Sequence, residues 1–217
     1  TLDNGEQWGF QYSPYAYYNE HSIFLSMAHR PMKVGKQTVV NLLNILEEFP
    51  HYFVGSNAGL PIVGGSILAH DHYQAGRHQF ALDTAPSIYD FTLKGVQASI
   101  VNWPMSVIRL KDPDRNKLTQ AAQVVFQEWE SYSNEDLSIQ AFTGETPHNA
   151  ITPLTRKDGT DFVVDLVLRN NRTDKTYPDG IFHPHPEVQH IKQENIGLIE
   201  VLGLAVLPPR LKGELQE

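Results

Sequence analysis

The sequence predicts an α+β protein: an antiparallel sheet with packed helices, built from two degenerate repeats. Three observations carry this expectation. Strand-like stretches outnumber helical ones and are joined by short loops, the pattern of antiparallel layers. Two segments have the apolar spacing of amphipathic helices. The order strand, helix, strands, His-x-His also occurs twice along the 217 residues, as a repetition of elements and not of identical residues.

A strand is expected at about 17–27, where aromatic and β-branched residues lie between turn residues. KQTVVNLLNILEEF follows. Its Val39, Leu42, Leu43, Leu46 and Phe49 recur at spacings of three and four, which predicts a helix ending near Pro50. HYFVGSN and PIVGGSILAHDHYQ read as strands, and 77–82 as a further one. In the second repeat VNWPMSVIRL (101–110) reads as a strand. Asp112-Pro113 reads as the N-cap and first-turn proline of a helix over 113–132, whose stripe is Leu118, Ala121, Ala122, Val125 and Trp129. HNAITPLTR (148–156) and DFVVDLVLRNN (161–171) read as strands around a KDGT turn, and IFHPHPEV (181–188) as a strand carrying the second His-x-His. ENIGLIEVLGLAVLP is apolar, with strand and helix both open. The repeats divide at 95/96, so that 1–95 carries HDHYQ and 96–217 carries HPHPE, while GETP (144–147) and 83–90 read as excursions.

With 41% hydrophobic and 19% charged residues the composition is that of a globular protein. A net charge of −8 speaks against a broad nucleic-acid surface. No apolar run approaches the ~20 residues that span a bilayer, and no signal-peptide pattern opens the chain, so a cytoplasmic protein without a membrane partner is expected. The absence of cysteine excludes disulfides and leaves His, Asp, Glu and carbonyl oxygen as metal donors. Ten histidines stand at 21/29, 51, 70/72/78, 148 and 183/185/190. The chain starts with Thr1, not Met, and reads as a piece of a longer protein.

The segment GGSILAHDHYQ carries the chemistry. On a strand, His70, His72 and Gln74 share one face. Gly64 and Gly65 would let backbone approach a ligand closely, and Ser66 and Asn57 add neutral hydrogen-bonding groups. An imidazole whose other nitrogen is hydrogen-bonded can attack phosphorus. A glutamine amide can donate to the phosphoryl oxygens as charge develops, without acting as a general acid. Asp71 alternates to the opposite face.

GGSILAHDHYQ resembles the active-site segment of galactose-1-phosphate uridylyltransferases, members of the histidine-triad superfamily, whose motif is His-x-His-x-Gln. SPYAYYNEHSIFLSMAHRPM, HYFVGSN, KGVQASIVNWPMSVIRL, TPHNAITP, DLVLRNNRT and GIFHPHPEVQHIKQENIGLIEVLGLAVLP extend the likeness to the second, mainly Firmicutes class over roughly 10–212. The resemblance implies a histidine-triad-like fold with His72 as nucleophile and Gln74 holding the phosphoryl oxygens. It implies Ser66 on the phosphates of the sugar nucleotide, Asn57 near the uridine phosphate, and Lys192 and Asn195 as sugar or phosphate contacts. His29 and His70 match positions that help bind a structural zinc in the first class, where partner cysteines lie upstream. Asp71 replaces the usual proline.

His148, His183 and His185 with Asp83 or Glu187 would make a divalent site for a metal such as zinc or iron. The alternative is histidines satisfied by hydrogen bonds. His21, His51, His78 and His190 read as surface or core-edge residues. The expected function is uridylyl transfer between UDP-glucose or UDP-galactose and hexose 1-phosphate, by ping-pong chemistry through a uridylyl-histidine. A homodimer and an N-terminal portion beyond this chain are expected partners. The alternatives are a histidine-triad nucleotide hydrolase or phosphorylase, against which Gln74 in place of a third His argues, and a non-catalytic metal- or ligand-binding remnant.

Overall fold

The computed structural model describes residues 1–217 apart from Asp3, Gly65, Ser66, Ile191, Gln193 and Glu217. The described chain forms strands β1 (Trp8–Tyr12), β2 (Ser22–Ser26), helix α1 (Lys36–Glu48), strands β3 (Phe53–Gly55), β4 (His72–Gly76), β5 (Ser87–Leu93), β6 (Val96–Val101) and β7 (Val107–Asp112). Helix α2 (Arg115–Ser131), strands β8 (Phe142–Thr143), β9 (Thr146–Pro147), β10 (Asn149–Asp158) and β11 (Asp161–Asn170), and the short helices α3 (Leu198–Val201) and α4 (Leu211–Glu214) follow. β8 and β9 pair only with each other; the other nine strands form one sheet in the order β1-β2-β4-β3-β10-β11-β7-β6-β5.

The duplication of elements lies in this order. β2-α1-β3-β4 and β7-α2-β10-β11 are matching units, each with its last strand between the other two, and they meet at the antiparallel β3–β10 pair. Val54 lies opposite Thr155 there, Ala75 opposite Val54, and Val164 opposite Thr155. An approximate two-fold through the Val54–Thr155 pair therefore carries His72 and Gln74 onto Asp161 and Val163. The second unit lacks the first unit's polar row. The 95/96 division falls at the turn between β5 and β6, two strands that pair with each other.

Both helices lie on one face. Val39, Leu42, Leu43 and Leu46 of α1 and Leu118, Ala121, Ala122 and Val125 of α2 pack on Val54, Tyr73, Ala75, Leu110 and Val164. The α1 stripe follows its predicted spacing, and the helix stops before Pro50 because proline cannot continue the ladder. On the other face Tyr18, Phe53, Phe80, Leu82, Leu154, Val167 and the α3 residues Leu198, Ile199 and Val201 form a second cluster. With both faces covered, β11 reads as a near-continuous apolar run.

Several expectations need correction. The strand expected at 17–27 begins only at Ser22, because 13–21 forms turns, and the edge strand β1 was not anticipated. Loop and turn occupy the described residues of 61–71, so His70 and Asp71 precede the strand. A 3-10 turn at Ala81–Thr84 replaces the strand expected at 77–82, and β5 begins at Ser87, inside the expected excursion at 83–90. Asn102–Ser106, containing Pro104, divides the expected 101–110 strand into β6 and β7. The cap of α2 is Asp114, whose Oδ1 accepts from Asn116 N (2.8 Å) and Lys117 N (3.3 Å), and Pro113 lies before it. His183 and His185 lie in a turn and not on a strand, since Pro184 and Pro186 remove ladder donors there.

Candidate active site

β4 opens at His72 and presents alternate residues to opposite faces. Tyr73 and Ala75 pack toward the helices, so His72 and Gln74 point to the other face. Tyr73 fixes this register. Its ring stacks on Trp8 at 4.5 Å and its hydroxyl accepts from Asn41 Nδ2 at 2.9 Å.

His72 is buried, and its Nδ1–H donates to the His70 carbonyl at 2.8 Å. A neutral imidazole carries one proton, so with Nδ1 donating, Nε2 keeps its lone pair and is the nitrogen that could act as a nucleophile. His70 does not share the row: its Nε2–H donates to Ser26 O at 2.7 Å. Its ring lies 4.8 Å from that of His29, so these two imidazoles are neighbours.

Asp71 turns toward Arg30, whose Nε and Nη2 donate to Oδ2 at 3.0 and 2.9 Å. Arg30 also pairs with Glu6. Burial pushes the Asp71 carboxyl above its ordinary value while Arg30 opposes the shift. The residue in the place of the usual proline is thus anchored by a guanidinium, away from the face of His72.

Gln74 accepts through Oε1 from His21 Nε2 at 3.2 Å. This corrects the bland reading of His21: it is buried, with Tyr18 4.3 Å from its ring. The link follows from β2 pairing with β4, Ile23 opposite Gln74. A histidine just before a strand was the sequence signal, but nothing in the sequence says which strand is its neighbour. His51, His78 and His190 are exposed.

Asn57 is buried two residues past Gly55, itself paired with Gln74. Its Oδ1 accepts from Leu198 N at 2.9 Å, tying the start of α3 to the site and leaving Nδ2 as its donor. Ser66 and Gly65 lie outside the described residues. Gly64 packs the loop on itself, since a Cβ there would lie 2.5 Å from the carbonyls of Ala58 and Leu60; close approach serves the fold here. Lys192 is ion-paired with Glu200, and its Nζ lies 3.4 Å from Val206 O; Asn195 is exposed. Trp103, Arg169, His183 and Glu200 line a cavity of about 610 Å³ near this segment. Burial pulls Arg169 down to about 10 while Glu200 opposes the shift.

The residues expected to gather a divalent metal are not brought together. Among the described residues no group of three or more His, Asp or Glu side chains is placed to hold an ion. Both His148 nitrogens are engaged, Nδ1 with Asn171 Oδ1 (3.0 Å) and Nε2 with the Thr143 hydroxyl (2.7 Å). His185 donates from Nε2 to Ile181 O (2.9 Å) and stacks on Tyr177 at 3.8 Å. His183 donates from Nδ1 to Pro184 O at 3.2 Å. Asp83 accepts from Phe80 N at 2.8 Å and pairs with Arg156 at 3.4 Å, and Glu187 is exposed. His29 and His70 offer two imidazoles, half of a tetrahedral zinc shell.

The chain forms a nine-stranded sheet of two matching units, with an oriented imidazole at the start of β4 in one of them. Yeast Ap4A phosphorylase Apa2 is similar in fold: TM-score 0.59 at 15% identity, over 98% of this chain and 70% of that one. The chain belongs to the galactose-1-phosphate uridyl transferase family, whose C-terminal domain matches residues 44–217. It is 61% identical over 216 residues to the galactose-1-phosphate uridylyltransferase of Enterococcus faecalis and 59% identical over 215 residues to that of Lactiplantibacillus plantarum. These matches cover 98% of this chain and 44% of each relative, so the chain spans less than half their length. Among the described residues no helix is long and apolar enough to cross a membrane.

Proposed function

We propose that the chain carries the nucleophilic half of a hexose-1-phosphate uridylyltransferase. His72 Nε2 attacks the α-phosphorus of a UDP-hexose. The new bond is N–P; the bond from that phosphorus to the bridging oxygen breaks, and hexose 1-phosphate leaves with the electron pair. A phosphate oxygen of a second hexose 1-phosphate then attacks the same phosphorus, and the N–P electron pair returns to Nε2. UDP-glucose and galactose 1-phosphate are the pair this reading takes, and a homodimer and a cytoplasmic location are carried with it as expectations of the family.

The observation that carries the reading is the 2.8 Å bond from His72 Nδ1 to the His70 carbonyl. It keeps the proton on Nδ1, so the Nε2 lone pair is free to attack phosphorus and is restored when the second step breaks the N–P bond. Gln74 lies two residues on, on the same face. Its amide NH₂ is the donor for the phosphoryl oxygens as negative charge builds, an electrostatic contribution of the oxyanion-hole kind. A neutral amide gives no proton to a leaving group. This suits a covalent intermediate that waits for its acceptor, because the leaving hexose 1-phosphate is already a stable anion.

Ping-pong chemistry makes a specific demand. Labelled glucose 1-phosphate must exchange into UDP-glucose with no galactose 1-phosphate present. Exchange that is lost in His72→Ala is the expected result. Release of UMP without exchange would favour the hydrolase reading and contradict this one.

A further inference from the structure

Resting on the role given to Gln74 above, we propose that His21 is a positioning residue for uridylyl transfer: it fixes the Gln74 amide so that its NH₂ group, and not its carbonyl oxygen, faces the transferring phosphoryl group.

The two ends of a glutamine amide are nearly the same shape and opposite in hydrogen-bonding sense. An NH₂ toward the phosphoryl oxygens stabilises developing charge, whereas an oxygen toward them repels it. The choice is made at the other end of the amide. The Tyr17 N–H donates to His21 Nδ1 at 3.4 Å, so Nδ1 carries no proton. The single proton of a neutral imidazole is then on Nε2, which donates to Gln74 Oε1 at 3.2 Å. A reversed amide would set NH₂ against N–H. The backbone of Tyr17 thereby determines the tautomer of His21, and His21 determines the orientation of Gln74.

The ring has little freedom to do otherwise. Tyr18 lies against it at 4.3 Å and Tyr17 stacks at 5.6 Å. Tyr18 reaches this position because residue 76 is glycine: a Cβ there would lie 2.5 Å from Tyr18 Cε2. Burial also holds the His21 pKa below its ordinary value, in keeping with a neutral ring.

Two measurements on this chain test the proposal. Long-range ¹⁵N–¹H correlation, with His21→Gln used for assignment, reads the tautomer without any turnover. His21 protonated on Nε2 alone at neutral pH is expected; an Nδ1–H tautomer or a doubly protonated ring would overturn the proposal. The exchange rate is then measured for His21→Ala, Gln74→Ala and the double variant. Loss of one oxyanion-type donor costs ~10²–10³ in rate, so His21→Ala is expected to slow exchange at least about tenfold within that bound, with little change in the KM for UDP-glucose. The double variant should be no slower than Gln74→Ala, because His21 acts only through that amide. His21→Gln, whose amide can donate to Oε1, should recover most of the rate and remains informative if His21→Ala does not fold. Losses that multiply in the double variant, or no recovery in His21→Gln, would refute the positioning role. A wild-type chain without exchange would count against uridylyl transfer itself, and the tautomer measurement would still decide His21.

Discussion

His72 owes its free Nε2 to a carbonyl two residues upstream, and Gln74 owes the direction of its amide to a histidine 53 positions away. The first relation was legible only in part: alternation along HDHYQ puts His72 and Gln74 on one face, but the His70 carbonyl as the partner of His72 could not be read from it. The second was not, nor was the Arg30 contact to Asp71, because both depend on which strands are neighbours. His70 left the expected row because the strand starts two residues later than the motif. At this scale the chemistry of His21 has a pH consequence. Its folded pKa is lowered from 6.5 chiefly by burial, so between that value and its folded value the unfolded chain binds more protons. Its contribution to stability is complete above about 6.5 and is lost as pH falls through that window. Urea midpoints at about pH 7.5 and about pH 5.5 should therefore differ less in His21→Gln than in the wild type. An equal difference in the two proteins would contradict the buried neutral ring.

The helices were the most legible elements, because a period of three to four with a clear stop is a long-range signal in one segment. The breaks in strands were less legible, since they depend on local turns and prolines. The short 3-10 turn at Ala81–Thr84 could not be read at all. Tertiary charge pairs hold it: Arg109 bonds both Asp165 oxygens (2.7 and 3.0 Å) and donates to Leu82 O (2.8 Å) and Ala85 O (3.1 Å), while Arg156 donates to Asp165 at 2.8 Å. Asp165 is fully buried between two guanidinium groups. Asp165→Asn leaves Arg109 without its anion and Arg156 with Asp83 alone, and should cost ~3–5 kcal/mol by denaturant unfolding. A loss of a few tenths would mean that the pairs do not anchor the segment. Removing the α2 cap by Asp114→Ala should cost only ~1 kcal/mol in the same assay.

Across the whole molecule, the repetition of elements was legible and its register was not. The echo of His-x-His at 183–185 suggested a second copy of the motif, yet the sheet carries His72 onto Asp161. The second unit's corresponding strand, β11, is spent on packing both faces of the sheet. Similar spacing in sequence is therefore a poor guide to equivalent position when a loop can carry it. Because β3 and β10 join the units in one sheet, with Phe53 and Leu154 in the same cluster, they should unfold together. Far-ultraviolet dichroism and tryptophan fluorescence should give coincident urea transitions, and two separated transitions would show units that fold independently.

If His72 Nε2 becomes covalently uridylylated, the intact mass of the chain after incubation with UDP-glucose, followed by peptide mapping, reads it directly. One acid-labile uridylyl group on His72, absent in His72→Ala, is expected. An unmodified mass at saturating UDP-glucose, or an adduct that persists in His72→Ala, would contradict it.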